Sequence, residues 1–301
     1  GYYTTADGRM ISMPFNSSTP VLYYNVDAFK KAGLDPEKPP VTWLTMGEIA
    51  KKLVAAGASQ YGFSSAWNGW IHIENLSAWH NVPIGTKANG FGGLDTSYSF
   101  NGPVQVKHIQ QLADWQKDKV FVYGGRTNVG NAKFSSGEVA MYTESSAGYA
   151  GFKSTCKFEF RTSMLPYWPD VKGAPQNTII GGASLWVLRG HKAEEYKGVA
   201  AFFNYLSKPE VQAEWHQGTG YLPITLAAYE LSKKQGFYDK NPGTETALKQ
   251  MTLNKPTENS KGLRFGDHAK TRDIMDNEFE AVFSGKKPAK QGLDDAVKAG
   301  N

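Results

Sequence analysis

Cysteine is almost absent from this sequence. The only cysteine in the 301 residues is Cys156, so the sequence excludes an internal disulfide bond and any CxxC metal or redox site. We expect this thiol to be a buried structural residue. Long apolar runs are absent too, since none approaches the roughly 18 residues of a membrane span. The six histidines are scattered without metal-ligand spacing, which indicates neither a metal nor a cofactor.

Catalytic motifs are also missing. The sequence has no HExxH and no Walker A motif, and Gly90-Phe-Gly-Gly93 lacks the last glycine of a dinucleotide fingerprint. Glu144-Ser-Ser-Ala-Gly148 differs from a nucleophile elbow because a glutamate stands where that turn needs glycine. No pair of carboxylates is singled out for glycosidic chemistry. We therefore expect a protein that is not an enzyme, with a phosphodiesterase or sugar hydrolase as the alternative of another class.

The charge balance is mildly basic, with a net charge of +5 and a pI near 9.0. The basic residues are dispersed in pairs such as Lys51/Lys52 and Lys233/Lys234, and no recognition-helix or zinc-finger pattern accompanies them. We therefore expect no nucleic-acid partner. A mild positive field suits an anionic small solute equally well.

Helical and strand signals alternate along the chain, which predicts an α/β protein of two lobes with helices outside mixed sheets. A capping box at Thr45-Met-Gly-Glu48 predicts a helix that ends near Gly57. The further helices are predicted at 27–32, 103–119, 192–207, 209–218, 226–235, 245–251, 271–283 and 290–298. The strands are predicted at 21–24, 60–64, 139–143, 158–164 and 179–188, with loops at 81–102 and 165–182.

Small polar residues at the ends of these elements are the first candidates for ligand binding. Asn16-Ser17-Ser18-Thr19 leads into a strand, and its hydroxyls offer hydrogen-bond donors without a charge. Ser145 follows another strand, where it can serve an anion site or simply cap a helix. Gly182 lies within an apolar strand, which indicates close approach of a ligand or of a second backbone, or else a bulge or lobe crossing.

Aromatic residues and one arginine complete the candidates. Trp67 and Trp70 follow a strand and can form a flat wall against the carbons of a polyol, although core packing explains most tryptophans. Tyr221 follows a helix stop and offers a hydroxyl, or packs its loop down. Arg272 begins a predicted helix and can clamp a phosphate with its fork, or pair with Asp273 or Asp276 on the surface.

Four segments carry a resemblance to a known family. The chain resembles the periplasmic glycerol-3-phosphate-binding proteins of bacterial ABC importers, which are extracellular solute-binding proteins of family 1. The resemblance runs from end to end of the chain. It rests on Phe15-Asn-Ser-Ser-Thr-Pro-Val-Leu-Tyr-Tyr-Asn, Ala174-Pro-Gln-Asn-Thr-Ile-Ile-Gly-Gly-Ala-Ser-Leu-Trp-Val, Glu214-Trp-His-Gln-Gly-Thr-Gly-Tyr-Leu-Pro-Ile-Thr and Gln235-Gly-Phe-Tyr-Asp-Lys-Asn-Pro-Gly.

The resemblance implies a fold and a function. It implies the two-lobe periplasmic-binding-protein fold, with hinge-crossing strands and closure on a solute. It also implies delivery of sn-glycerol 3-phosphate, and possibly of glycerophosphodiesters such as glycerophosphocholine, to membrane permease subunits. A periplasmic location and a monomer are expected with it. A neutral polyol or an oligosaccharide is the alternative ligand, since serines and tryptophans serve sugars equally well.

Six positions match the ligand-contacting positions of that family. Trp67 matches the tryptophan that packs on the glycerol moiety, and Arg272 and Ser145 are expected at the phosphate. The other three matching positions are Ser18, Gly182 and Tyr221.

One departure from the family concerns the first lobe. The family has a substantial segment before the position that corresponds to Gly1, and this segment supplies strands, helices and further ligand contacts. We therefore expect an incomplete first lobe, consisting of residues 1–16 and 183–240. The second lobe is expected to comprise residues 17–182 and 241–301.

Overall fold

Two β-sheets organise the protein. The computed structural model describes residues 2–5 and 7–301. The strands are β1 (Met13–Ser18), β2 (Pro20–Asn25), β3 (Tyr61–Ser65), β4 (Val139–Ser145), β5 (Phe160–Ser163) and β6 (Gly181–Leu185). β1 and β6 form a two-stranded antiparallel sheet, and the other strands form a four-stranded sheet in the order β3-β4-β2-β5. Only β3 and β4 run parallel in the larger sheet.

The chain passes from one sheet to the other at Thr19. This residue is fully buried and is the only residue between β1 and β2. Its hydroxyl lies 2.7 Å from Oγ1 of Thr178 and 3.0 Å from the carbonyl oxygen of Ile179, just before β6. The two segments that connect the sheets are therefore joined side by side by buried hydrogen bonds.

Helices flank the sheets. They are α1 (Val26–Lys31), α2 (Trp43–Ala55), a π-helix (Trp70–Asn75) continued by α3 (Leu76–Trp79), α4 (Thr86–Asn89), α5 (Pro103–Lys117), α6 (Asn131–Ser135), α7 (Gly148–Thr155), α8 (Ala193–Leu206), α9 (Pro209–Thr219), α10 (Leu226–Lys234), α11 (Phe237–Lys240), α12 (Thr246–Met251), α13 (His268–Phe283) and α14 (Ala289–Gly300). Among the described residues, no helix is long and apolar enough to cross a membrane.

The predicted start of α2 is wrong by three residues. Thr42, not Thr45, is the N-cap residue, and its hydroxyl accepts the backbone N–H of Thr45 at 3.1 Å. The Thr45 hydroxyl in turn accepts the backbone N–H of Thr42. This reciprocal capping box uses threonine at its third helical position instead of the usual Glu or Gln, so the sequence template did not find it.

Strand β2 separates two hydrophobic cores. Because successive side chains of a strand point to opposite faces, Leu22 and Tyr24 pack into one core, whereas Val21 and Tyr23 pack into the other. The first core is covered by α2, α5 and α13, and the second by α6 and α7. Cys156 is only half-buried at the edge of the second core, where burial raises the pKa of its thiol to about 11.

The helices that follow β6 are less buried. Helix α8 has no buried residue, and Phe202 and Tyr205 on it are about half exposed. The two crossings between the sheets lie close to the predicted lobe limits at 16/17 and 182/183. The division of the chain into residues 1–16 with 183–240 and 17–182 with 241–301 stays a prediction.

A pair of histidines lies in the centre of the first core. Trp168 Nε1 donates to Nδ1 of His108 at 3.3 Å, so the proton of the His108 ring is on Nε2. This Nε2–H donates to Nδ1 of His72 at 2.8 Å, which places the proton of His72 on Nε2. That Nε2 is buried and has no hydrogen-bond partner among the described residues. Burial lowers the pKa of His72 to about 3 and that of His108 well below its usual value.

Candidate functional site

All six residues singled out in the sequence line one cavity between the two sheets. The cavity has a volume of about 680 Å³, which is within the usual range for small-molecule sites. Its wall includes Ser18, Trp67, Ser145, Gly182, Tyr221 and Arg272. The wall also includes Trp70, which the sequence offered as a candidate. It further includes residues that the sequence did not identify as ligand-binding, among which are Tyr2, Tyr3, Asn128, Asn131, Glu144 and His268.

Strand register brings the first of these residues together. Ser18, the last residue of β1, is opposite Gly181 of β6. Two residues later, Pro20 begins β2 opposite Ser145, the last residue of β4. Ser18, Gly181 and Ser145 therefore meet because two strand pairings are separated by Thr19 alone.

Ser145 lies where β4 gives way to α7. Its Oγ accepts the backbone N–H of Ala147 at 3.2 Å, so the serine takes part in the turn that precedes the helix. The prediction that Ser145 caps this helix is wrong, because the N-cap residue of α7 is Ala147 and no side chain caps it. Ser145 also lines the cavity with Ala147 and Gly148. The same hydroxyl can still donate its proton to a ligand, because this contact uses it only as an acceptor.

The glycines of β6 mark close packing. A Cβ on Gly182, which has φ of +103°, would lie 2.3 Å from the backbone oxygen of Asn16. A Cβ on Gly181 would lie 2.6 Å from the ring of Trp70. The pairing of β1 with β6 also has an irregularity between Pro14 and Asn16. The close approach of a second backbone to Gly182 is therefore confirmed by the geometry, whereas the irregularity of the pairing lies in β1 and not at Gly182.

The two tryptophans have different surroundings. Trp70 is 8% exposed and packs against β6, whereas Trp67 is 38% exposed. The backbone of Trp67 has φ of +43°, a conformation that non-glycine residues rarely adopt, and its N–H donates to the carbonyl of Thr127 at 2.7 Å. Strained backbone of this kind is often found at functional sites, and here it presents a flat ring to the cavity.

Arg272 is paired with a buried carboxylate. Its Nε and Nη2 donate to the two oxygens of Glu74, each at 2.7 Å, and Glu74 has 1% of its side chain exposed. Burial alone would raise the pKa of Glu74, but the neighbouring charges of Arg272 and His268 lower it to about 2. Among the described residues, no partner is found for Nη1 of Arg272, so this end of the fork is available to a ligand.

The structure corrects two expectations about Arg272. It lies in the second turn of α13, which begins at His268 rather than at residue 271. Its carboxylate partner is Glu74 of the π-helix, not Asp273 or Asp276. The signal for Glu74 was present in the sequence as a single acidic residue among Trp70, Ile71, Ile73 and Leu76, a pattern that indicates a buried and paired charge.

A hydrogen-bonded chain extends behind this pair. Nε2 of His268 lies 2.9 Å from Glu74 Oε1, and its Nδ1 lies 2.8 Å from the hydroxyl of Tyr98. The ring of Tyr98 stacks on Phe265 with centroids 4.1 Å apart. Arg272 is therefore held by an ordered network and not by a surface contact.

Tyr221 lies in the loop after α9. Its carbonyl is hydrogen-bonded to Nδ1 of His216, and Nε2 of the same ring accepts from Tyr238 at 3.0 Å. The next residue, Leu222, donates its backbone N–H to Ser17 in β1 at 2.7 Å. The loop is fixed by these backbone contacts, so the Tyr221 side chain is not needed to pack it down. The side chain lines the cavity.

Glu144 is an acidic group in the cavity wall. It is 2% exposed, and Oε1 accepts the backbone N–H of Ser145 at 2.6 Å. Burial raises the pKa of this carboxyl to about 7, although Ser145, Trp67 and Asn131 oppose the rise.

The described residues contain no group of three or more side chains that could hold a metal ion. The cavity thus combines hydroxyls, one arginine and an apolar ring, which suits an anion with a small carbon skeleton.

Comparisons with known proteins agree with this architecture. Residues 1–246 match the family model of the bacterial extracellular solute-binding proteins. The chain is 56% identical over its whole length to the sn-glycerol-3-phosphate-binding periplasmic protein UgpB of Pectobacterium atrosepticum, and it covers 68% of that protein. It is 54% identical to UgpB of Yersinia pseudotuberculosis and covers 69% of it.

Solved structures share the fold at lower identity. The cyclic α-maltosyl-1,6-maltose binding protein of Arthrobacter globiformis has a TM-score of 0.77 and 23% identity, over 98% of this chain and 72% of that one. UgpB of Mycobacterium tuberculosis in complex with glycerophosphocholine has a TM-score of 0.75 and 21% identity, over 97% and 70% of the two chains. At this identity the likeness shows the two-lobe α/β fold alone, and it confirms the predicted fold class.

The comparisons confirm further predictions made from the sequence. The names of the relatives confirm a binding protein of a transport system rather than an enzyme, and they confirm the periplasmic location. They do not test the assignment of the six cavity residues to a ligand. From the family match, the relatives and the shared fold, we conclude that the chain belongs to the bacterial extracellular solute-binding proteins.

Proposed function

We propose that this chain is the solute-binding component of an ABC importer and that its cavity binds sn-glycerol 3-phosphate. The observation that carries the proposal is that six residues chosen from the sequence line the same cavity. Identity above 50% to proteins named for binding this ligand supports the choice of solute. Glycerophosphodiesters are included, because a structural neighbour holds glycerophosphocholine.

We assign the phosphate to the side of the cavity formed by Arg272 and Ser145. A phosphate needs charged or strong donors, and Arg272 offers its Nη1 while Glu74 holds the rest of the fork. The hydroxyls of Ser18, Ser145 and Tyr221 and the backbone at Gly182 add neutral donors. The exposed face of Trp67 is assigned to the carbon chain of the glycerol.

The experiment compares Arg272→Ala with the unchanged protein by calorimetry. We expect a loss of affinity for sn-glycerol 3-phosphate of about tenfold or more, because a hydrogen bond to a charged group contributes about 1.5–3 kcal/mol. Any binding of a neutral polyol should change far less. An equal loss for both ligands would refute the assignment of Arg272 to the phosphate.

The chain offers a matched control for this variant. Arg126 is paired with Glu280 through the same two nitrogens, at 2.7 and 2.8 Å, but it does not line the cavity. Arg126→Ala removes a guanidinium of similar exposure, so it should leave the affinity within about twofold. A comparable loss in both variants would show that the effect comes from net charge and not from contact.

The proposal also covers the partners. The loaded protein delivers its solute to membrane permease subunits, and it acts as a monomer without nucleic acid. The dispersed basic residues support the last point. Light scattering at working concentration checks the monomer. A dimer that persists on dilution would contradict it.

A further inference from the structure

Glu144 is the one acidic residue that directly lines the cavity among the described wall residues. It lies in β4 immediately before Ser145, and a Cβ added to Gly148 of α7 would lie 2.9 Å from its Cγ. The side chain is therefore wedged between the strand and the start of the helix. Its Oε1 is held by the N–H of Ser145, which fixes the direction of the carboxyl.

The second carboxyl oxygen has no partner. Oε2 of Glu144 is buried and makes no hydrogen bond with the described residues, and the same holds for Oδ1 of Asn131. The side chains of Asn131 and Trp67, which line the cavity, lie close enough to the carboxyl to oppose the rise in its pKa, but neither completes a hydrogen bond to Oε2. An ionised carboxylate with a buried and unpaired oxygen is costly, whereas a protonated one carries its own donor for a neighbouring acceptor.

No cation compensates a negative charge on Glu144 among the residues that the structure describes. The ionisable groups that Glu144 affects are the phenols of Tyr23 on β2 and Tyr142 on β4, and Tyr149 on α7 lies near Tyr23. Across the cavity are His268 and Arg272, and the charge of Arg272 is already offset by Glu74. An anionic ligand and an ionised Glu144 would therefore share a wall without a surplus positive charge.

We infer that Glu144 is a specificity-determining residue that carries a proton when the cavity holds an anion. Loss of that proton at higher pH weakens the binding of the anion. Because Oε2 is buried, the residue acts through its charge, and through the N–H and hydroxyl of Ser145 that it positions, rather than by contact. The inference rests on the proposed function, since it requires an anionic ligand in this cavity.

The coupling between ligand binding and proton binding determines whether affinity rises or falls with pH. Burial already holds the pKa of the Glu144 carboxyl at about 7, and a nearby anion raises it further. Binding therefore takes up a proton from solution in the range where the free protein is partly ionised. By reciprocity, affinity falls as pH rises, with a limit of about tenfold per pH unit for a single coupled proton.

The test is calorimetry with glycerophosphoglycerol, a phosphodiester without a cationic group, between pH 6.5 and 8.5 in buffers with different heats of ionisation. A phosphodiester avoids the second ionisation of a monoester near pH 6, which would mask the effect. We expect proton uptake on binding and an affinity that falls at least about threefold across this range. Glu144→Gln keeps the shape of the neutral carboxyl, so its affinity should be independent of pH and its proton uptake absent.

A second variant distinguishes the proton of Glu144 from that of His268. His268→Gln replaces the imidazole in the cavity wall, and the proton uptake should persist in it. The inference is overturned if the unchanged protein takes up no proton, if His268→Gln loses the uptake, or if Glu144→Gln retains it. The first two outcomes can be measured even if Glu144→Gln does not fold. Absence of binding at every pH, for glycerophosphoglycerol and for sn-glycerol 3-phosphate, refutes the proposed function and this inference with it. Binding that does not depend on pH refutes this inference alone.

Discussion

Trp67 shows how one residue of the cavity depends on backbone strain. Its φ of +43° lies in the left-handed region, where a side chain costs about 1 kcal/mol or more and glycine costs little. The ring is 38% exposed, so it adds less to folding than a buried tryptophan would. The strained backbone of Trp67 therefore serves to position the ring in the cavity and does not stabilise the fold.

At position 67, glycine should give a more stable protein than alanine, which is the reverse of the usual order. We expect Trp67→Gly to be more stable than Trp67→Ala by about 0.5–1 kcal/mol, because both lose the ring and only glycine relieves the strain. Urea unfolding measures the difference. Both variants should lose affinity for the ligand by calorimetry, and a Trp67→Ala variant that is the more stable of the two would contradict the strain argument.

At the same scale, the sequence identified neutral donors better than carboxylates. Ser18, Ser145 and Tyr221 were found because hydroxyls at the ends of elements are visible in a sequence. Glu74 and Glu144 were not found as site residues. The importance of both comes from burial, and that of Glu74 also from its pairing with Arg272. These two residues are 198 positions apart in the sequence, and only the folded chain brings them together.

At the scale of elements, the start of helix α2 has a capping box that differs from the one predicted from the sequence. The sequence favoured a box of Thr45 and Glu48, whereas the structure has one of Thr42 and Thr45. We expect Thr42→Ala to destabilise the protein by about 1 kcal/mol, since it removes the acceptor for the N–H of Thr45. Chemical denaturation measures this change.

Glu48→Ala is the matched control for the capping prediction. Glu48 is exposed on the same helix and is not part of the observed box, so its replacement should change stability by less than about 0.5 kcal/mol. A larger loss for Glu48→Ala than for Thr42→Ala would support the arrangement predicted from the sequence.

Most elements were predicted to within a few residues, for a physical reason. Helix α5 begins at Pro103 as predicted, because proline suits a first turn, and α9 begins at Pro209 for the same reason. Strand ends were less accurate. The strand predicted at 179–188 is limited to Gly181–Leu185, since its extent depends on pairing with β1 and not on its own apolar residues.

At the scale of the whole molecule, the buried histidines predict sensitivity to acid. The pKa of His72 is about 3 and that of His80 about 4 in the folded protein, below the value of 6.5 in an unfolded chain. Folding therefore favours the neutral rings, and stability is complete above pH 6.5 and falls as pH drops below it. Each such histidine accounts for a loss of about 2 kcal/mol at pH 5.

We expect His72→Phe to lose less stability than the unchanged protein between pH 7 and pH 5, as measured by urea unfolding at the two pH values. His191→Gln is the control, because His191 is exposed and its replacement should leave the dependence on pH unchanged. Glu144 acts in the opposite sense, since its raised pKa favours folding as pH falls below about 7. A steeper loss in His72→Phe would contradict the role assigned to the buried pair.

Thr19 is the single residue that connects β1 to β2, and it affects both strands and the cavity between the sheets. Side chains alternate along a strand, so the single residue between β1 and β2 fixes the phase of one strand relative to the other. An inserted residue at this point would leave β2 paired with β4 and would turn the whole of β1 by one position. Ser18 would then point away from Ser145, which is opposite Pro20 of β2. The cavity is therefore specified by the length of this connection as strictly as by the residues in its wall.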